Sequence, residues 1–280
     1  MNTLSSSLFK NTLLLLALTS CSFDSSNSVA TDSGEGDVEA DARSLDDSDA
    51  ARRADAGSDD AGADAAQPVV PRILILDDGD SNATPALQIA TYLEGAGFDA
   101  TIGPHYEDYL DGDDDELDPV ASDFAVIIWL EGTDFGEDIS EAMDTSLVDF
   151  VNAGGTLART EWAGWFIGPD ASDDDLIDQL MPVISPNQDF AYGTTWNVVE
   201  SAHPLANGIS PVSQVDGAGF TTVTANAQAT VVVESNNGIP LVSVQDFGLG
   251  KVVHINHDVT YSVETVHSEV LQVFANLPAL

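Results

Sequence analysis

The stretch that most constrains the fold runs from Phe150 to Gly164 and reads F-V-N-A-G-G-T-L-A-R-T-E-W-A-G. It predicts a helix ending at Gly154-Gly155, since glycine past the last turn adopts the left-handed conformation that closes a helix. Thr156–Thr160 then reads as a short buried strand, followed by a sharp turn at Glu161-Trp162. A helix, a tight glycine link and a buried strand make one αβ step of an open parallel sheet. Ligands in such sheets sit beyond the carboxyl ends of the strands. Glu161-Trp162 therefore marks the address of a site, although no nucleophile stands there.

Other segments extend the pattern. Arg72–Asp77 (R-I-L-I-L-D) is a continuous apolar run ending in turn residues, as expected of a strand buried on both faces. Thr84 and Pro85 open a helix whose inward stripe is Ala86, Ile89, Ala90, Leu93 and Ala96, stopped by Gly97. Phe98–Ile102 is a second strand, which completes a right-handed βαβ unit. Phe124–Leu130 is the next buried strand, and Ile139–Val151 the helix that leads into the glycine link. Ser172–Asp175 reads as the start of a helix over Leu176–Met181, ended by Pro182. From Val183 to Gln228 the pattern is mixed, with short extended pieces near Trp196–Val199 and Phe220–Val223. Ser201–Ile209, holding His203-Pro204, is a compact turn. Thr230–Glu234, Pro240–Gln245 and Lys251–Asn256 are strands joined at Asn237-Gly238 and Gly248-Leu249-Gly250, which are hairpin signals. A final helix spans Val263–Leu277, and no internal repeat is present.

Charge sets the next limit. The chain of 280 residues carries 48 acids against 7 Lys+Arg, net −41, with 43% hydrophobic residues. Residues 71–280 alone hold 35 acids and three bases, Arg72, Arg159 and Lys251, for a net charge of −32. Such a surface repels nucleic acid and anionic lipid headgroups, which excludes a nucleic-acid partner. It fits either salt adaptation or cation binding. The acidic run Asp111–Asp118 could hold Ca²⁺, but the EF-hand loop needs Gly at its sixth position and Glu at its twelfth. Counted from Asp111, those positions are Glu116 and Ser122.

The N-terminus has Lys10, the apolar run Leu13–Leu18 and then Leu18-Thr19-Ser20-Cys21. The run is too short to span a bilayer and has the shape of a signal-peptide core. Small residues directly before a cysteine resemble the bacterial lipoprotein box, which implies lipidation of Cys21 and anchoring to a membrane. Ser22 after the cysteine implies, by the same resemblance, the outer membrane of the cell envelope. Cys21 is the only cysteine, so no disulfide can form within the chain. Residues 22–70 are Asp, Ala, Ser and Gly with almost no large apolar residue, and are expected to be a disordered acidic linker. The domain plan is a signal segment over 1–21, this linker over 22–70 and one α/β domain over 71–280.

Several of these pieces coincide in order. The strand from Ile73, the buried strand Val126–Leu130, the helix into Gly154-Gly155, His203-Pro204-Leu205 with Gly208, and Gly248-Leu249-Gly250-Lys251-Val252-Val253 together resemble the class I glutamine amidotransferase-like superfamily, in its ThuA-like branch. The resemblance covers about residues 72–278. It implies an α/β, flavodoxin-like three-layer sandwich with a mainly parallel central sheet and a β-rich C-terminal addition. Amidotransferases of this superfamily use a cysteine on the elbow after the central strand. Here that elbow reads Arg159-Thr160-Glu161-Trp162-Ala163-Gly164, and no cysteine follows residue 21. Thiolate attack needs a thiol, and a G-x-S-x-G elbow is absent too, so amidotransfer is excluded.

The strand ends expected to share one edge carry Asp77, Asp78, Glu131, Glu161, His254, His257 and Asp258. Of these, Asp77, Asp78, Glu131, Glu161 and His257, with Trp162, are the candidate ligand-binding residues. His254 and His257 stand three apart, which on a strand places them on opposite faces; a carboxylate–His metal site requires a turn between them. Trp162, Trp165 and Trp196 could form an aromatic platform for a sugar, or pack in the core. Glu161 could pair with Arg159 or Lys251, or face a ligand. The leading reading is a lipid-anchored, non-amidotransferase domain, without cofactor, that binds a small polar ligand, a glycan or a protein. The rival is a metal-dependent hydrolase or sugar-processing enzyme on the carboxylate–His edge.

Self-repulsion at −32 destabilises a compact domain, and about 1 M salt shortens the Debye length to about 3 Å. The Tm should therefore rise clearly between low salt and about 1 M NaCl, as followed by circular dichroism. A flat or falling curve contradicts this, and a rise seen only with Ca²⁺ points to Asp111–Asp118.

Overall fold

A computed structural model describes residues 69–77, 84–106, 109, 119–132, 139–167, 176–260 and 265–280. The lipobox-like segment with Cys21, the rest of the expected linker up to residue 68, Asp78, the acidic run Asp111–Asp118 and Ser172–Asp175 lie outside these residues. The elements are β1 (Arg72–Asp77), α1 (Thr84–Gly95), β2 (Asp99–His105), β3 (Val126–Trp129), α2 (Glu141–Asn152), β4 (Thr156–Thr160), α3 (Glu161–Phe166), β5 (Val183–Ile184), β6 (Phe190–Val198), β7 (Val212–Thr221), β8 (Thr224–Ala225), β9 (Thr230–Ser235), β10 (Pro240–Phe247), β11 (Gly250–Ile255) and α4 (Ser268–Asn276).

Nine strands form one sheet in the order β2-β1-β3-β4-β11-β10-β9-β6-β7, and β5 pairs with β8 separately. The chain is thus α/β with a large mixed sheet. The first five strands of that order are parallel, and the remaining pairings are antiparallel. The expectation of a mainly parallel sheet holds for only half of it. Hairpin turns as short as Phe247–Gly250 and Ser235–Pro240 can only reverse the chain, so β9, β10 and β11 pair antiparallel. The β-rich part continues the sheet outward from β11 through these hairpins.

β1 shows why the apolar runs behave as they do. Ile73 and Ile75 pack with Ile89 and Leu93 of α1 and Val270 and Phe274 of α4. Leu74 and Leu76, pointing the other way, pack with Leu147, Phe150 and Val151 of α2. A strand covered on both faces needs no polar alternation. Among the described residues no helix is long and apolar enough to cross a membrane.

β6 and β7, with nine and ten residues, are much longer than the extended pieces the sequence suggests. Their runs of Thr, Gly, Ala, Ser and Asn carry little apolar alternation, so pairing and not burial defines them. The helix expected over Leu176–Met181 is only a 3-10 turn at Asp178–Leu180.

The glycine link closes α2 as expected. The Gly155 N–H donates to the Phe150 carbonyl and the Gly154 N–H to that of Val151, each at 3.0 Å, and Gly154 has φ +116°. These are the two bonds of a Schellman ending. The β10–β11 turn docks onto this ending, since Leu249 N–H reaches the Asn152 carbonyl at 3.1 Å and Lys251 N–H that of Gly155 at 3.2 Å. A Cβ on Gly250 would run into the carbonyl oxygens of Val151 and Gly155. Gly250→Ala should therefore lower stability by about 1–3 kcal/mol. Urea unfolding checks it through a reduced midpoint at unchanged slope; an unchanged midpoint would show that the close approach of the β10–β11 turn to the end of α2 does not contribute to stability.

Candidate functional site

The carboxyl ends of β1, β3, β4 and β11 fall along one edge, because the four strands are parallel and adjacent. Asp77, Glu131, Glu161, His257 and Asp258 lie there as the sequence suggests, and all five are buried. Trp162 follows Glu161 on α3. Asp78 lies outside the described residues.

The expected sharp turn after β4 is instead the direct start of α3, with Glu161 as its first residue. This breaks the strand's alternation between Arg159 and Glu161. A shared face required the strand to continue, so the Glu161–Arg159 pair, one of the uses open to Glu161, does not form. Arg159 donates to both oxygens of Glu131, from Nε at 3.0 Å and Nη2 at 2.8 Å. Its Nη1 bonds Asp178, and its guanidinium lies 4.1 Å over the Trp129 ring. Burial works against the Arg159 charge, but attraction to Glu131 and Asp178 outweighs it and holds the guanidinium above its ordinary value. Asp178 is held in place by Asp144 of α2, whose carboxylate accepts the N–H groups of Leu176 at 2.7 Å and Ile177 at 2.8 Å. The Glu161–Lys251 alternative fails as well, because Lys251 pairs with Asp246.

Glu161 is completely buried, and among the described residues no Lys or Arg pairs with it. The Thr221 hydroxyl bonds its Oε1, while among the described residues Oε2 has no hydrogen-bond partner. Burial is the main force that pushes the Glu161 carboxyl up to about 8; Thr221 opposes this, and the nearby Asp258 and Glu131 add to it. At neutral pH the group is a protonated acid, so it can donate as well as accept.

Thr221 ends β7, which belongs to the antiparallel half, and Asn256 ties it to the parallel half. The Asn256 side chain accepts from Thr221 N–H at 2.9 Å and donates to the carbonyls of Thr221 and Pro240, both at 2.8 Å. Neither Thr221 nor Asn256 is among the candidates read from the sequence. Asn256 had one signal, a polar residue at the end of the strand that begins at Lys251. Thr221 had none, since its role depends on where β7 pairs.

The two histidines part company. His254 pairs in register with Arg159 and lies under α3, where a Cβ on Gly164 would stand 2.8 Å from its Cε1. Burial pushes its imidazole down to about 3. His257 packs edge-on against Trp196, with ring centroids 5.9 Å apart. It is also pushed down to about 3, chiefly by burial and then by His267. His257 is therefore buried, 4% exposed. Among the described residues no three His, Cys, Asp or Glu side chains group as metal ligands.

The three tryptophans divide between the core and a surface group of rings. Trp196 is fully buried in the core and stands apart from the other two tryptophans. Trp162 instead meets Trp165 at 6.0 Å and stacks on Phe190 at 5.4 Å. Tyr192 continues the group, 5.0 Å from Phe190. Phe190 is the register partner of Thr221, so the rings and the Glu161 carboxyl share one corner.

No family model matches the sequence, and no curated protein does. Solved structures match the fold. A cytoplasmic protein of Salmonella typhimurium aligns at 18% identity and TM-score 0.55, over 75% of this chain and 98% of that one. A ThuA-like protein of Bacteroides uniformis aligns at 12% identity and TM-score 0.54, over 77% and 94%. A ThuA-like protein of Parabacteroides merdae aligns at 12% identity and TM-score 0.51, over 74% and 88%. At these identities the likeness is one of fold, and the fold is ThuA-like.

Proposed function

We propose that this chain is a lipid-anchored protein of the cell envelope whose ThuA-like domain binds a small polar ligand at the carboxyl edge of its parallel strands, around Glu161. The order β2-β1-β3-β4-β11 supports a flavodoxin-like layering, and in such sheets that edge is where ligands bind. The observation that carries the reading is the Glu161 carboxyl itself, buried and, among the described residues, with no Lys or Arg against it and one oxygen unpartnered. A lone buried carboxyl costs folding free energy, and perturbed groups of this kind concentrate at functional sites. The anchor rests on Leu18-Thr19-Ser20-Cys21, and amidotransfer stays excluded for want of a thiol.

The Glu161 reading is tested by pH. The unfolded chain releases this proton near 4.5 and the folded chain only near 8. Glu161's contribution to stability therefore falls as pH rises through that window and levels off above it. Glu161→Gln should gain on wild type across the same window, by on the order of 3–5 kcal/mol at pH 8. Denaturant unfolding at pH 5, 6.5 and 8 measures the difference, and a gap that stays constant with pH contradicts a protonated native carboxyl. In a thermal-shift panel of neutral polyols, amino acids and amines, at least one compound should raise the Tm of wild type and not of Glu161→Gln. A panel with no such compound removes the ligand site.

For the anchor, Cys21→Ser should leave the protein unacylated and move it from the membrane to the soluble fraction. Unchanged fractionation together with an unchanged lipid-modified peptide mass refutes anchoring at Cys21.

A further inference from the structure

Resting on that reading of the edge, we infer that the ligand is an organic ammonium ion, held by Glu161 and by the aromatic group Trp162, Trp165, Phe190 and Tyr192.

Charge is the first argument. Residues 71–280 contain three basic side chains, and each is engaged elsewhere: Arg72 with Asp99 and Asp123, Arg159 with Glu131 and Asp178, Lys251 with Asp246. None is free to receive a phosphate or a carboxylate. The charged groups that act on Glu161 are Asp258 after β11 and Glu131 after β3, and Glu131 is already held by Arg159. His254, behind α3, is buried and neutral. The electrostatics of this corner favour a cation and disfavour an anion.

Geometry is the second. Glu161 and Trp165 stand four apart on α3 and so share a face. Phe190 reaches both tryptophans, at 5.4 Å and 6.4 Å, because β7 makes room for its ring: a Cβ on Gly219 would overlap it. Exposure rises outward, from buried Trp162 to Tyr192 at 68%. Aromatic faces beside a carboxylate are the arrangement that recognises ammonium groups, by cation–π attraction and ion pairing. The apolar body of the ligand lies on the outer rings and its ammonium meets Oε2 of Glu161. Glu161 ionises as the cation arrives, and its proton leaves to solvent, one per ligand bound.

Benzylammonium is the probe and benzyl alcohol its neutral counterpart, each added to the full chain at constant ionic strength. Tryptophan fluorescence reads binding, and calorimetry in two buffers of different ionisation enthalpy reads the proton. Benzylammonium should bind saturably and release one proton near pH 7, with affinity rising about tenfold per pH unit from 6 to 8. Glu161→Gln should lose more than tenfold in affinity and release no proton. Tyr192→Ala, at an exposed position, should weaken binding about threefold to fivefold. Equal binding of benzyl alcohol, affinity independent of pH, or full affinity in Glu161→Gln overturns the proposal. If benzylammonium fails while a neutral polyol protects wild type and not Glu161→Gln, the ligand site stands and its cationic ligand falls.

Discussion

Three basic side chains serve a domain with 35 acids, and that scarcity shapes its interior. One base, Arg159, lies inside the sheet, bidentate to Glu131 and bonded to Asp178. It joins the end of β4 to the end of β3 and to the 3-10 turn at Asp178–Leu180. Thr160 reinforces the joint, accepting the Glu131 N–H at 2.8 Å. A buried guanidinium with two carboxylates is weak evidence for net stability, but losing one partner of such a set is strongly destabilising. Its clearest product is position: the neighbouring strand ends are fixed, and so is the start of α3. With Arg159 taken up in this way and Lys251 paired with Asp246, no base among the described residues remains for Glu161, and protonation is the route left to neutrality.

The antiparallel half contributes what the parallel half lacks. Thr221 gives the Glu161 carboxyl a hydrogen bond, and Asn256 fixes Thr221 through two backbone bonds. Asp258 N–H also reaches the Gly219 carbonyl at 2.9 Å, so the chain leaving β11 is tied to β7. The site is assembled across the sheet from strands distant in sequence, and the hairpins that carry β7 there are structural parts of it.

That dependence explains what could be read from the sequence. The apolar strands, the Gly154-Gly155 ending and the hairpin turns show locally, because burial on both faces and positive φ leave residue-type signatures. The carboxyl edge shows too, since strand ends follow from strand extents; Asp77, Glu131 and Glu161 are found there. Pairing partners do not show locally. Arg159 is two residues from Glu161, yet α3 begins one residue earlier than an extended chain would allow, and the arginine turns to Glu131. Trp162 and Trp196 look alike in sequence, and only the packing of β6 sends one to the ring group and the other against His257. Thr221 reads as one threonine among several until β7 is paired.

A buried acid and two buried imidazoles pull stability in opposite directions. His254 and His257, both pushed down to about 3 by burial, stay neutral when folded and take up protons when unfolded. Stability from them is present above about 6.5 and is lost as pH falls below it. Glu161 works the other way, losing stability as pH rises from 4.5 towards 8. Between 4.5 and 6.5 two histidines outweigh one carboxyl, and above 6.5 the carboxyl acts alone, so these three groups together favour the folded state most near pH 6.5. Above that pH the cost of Glu161 is still growing, and a bound cation would offset it by allowing the carboxyl to ionise in place. Ligand binding and the relief of an internal strain of charge would then be one event, located at a single oxygen atom.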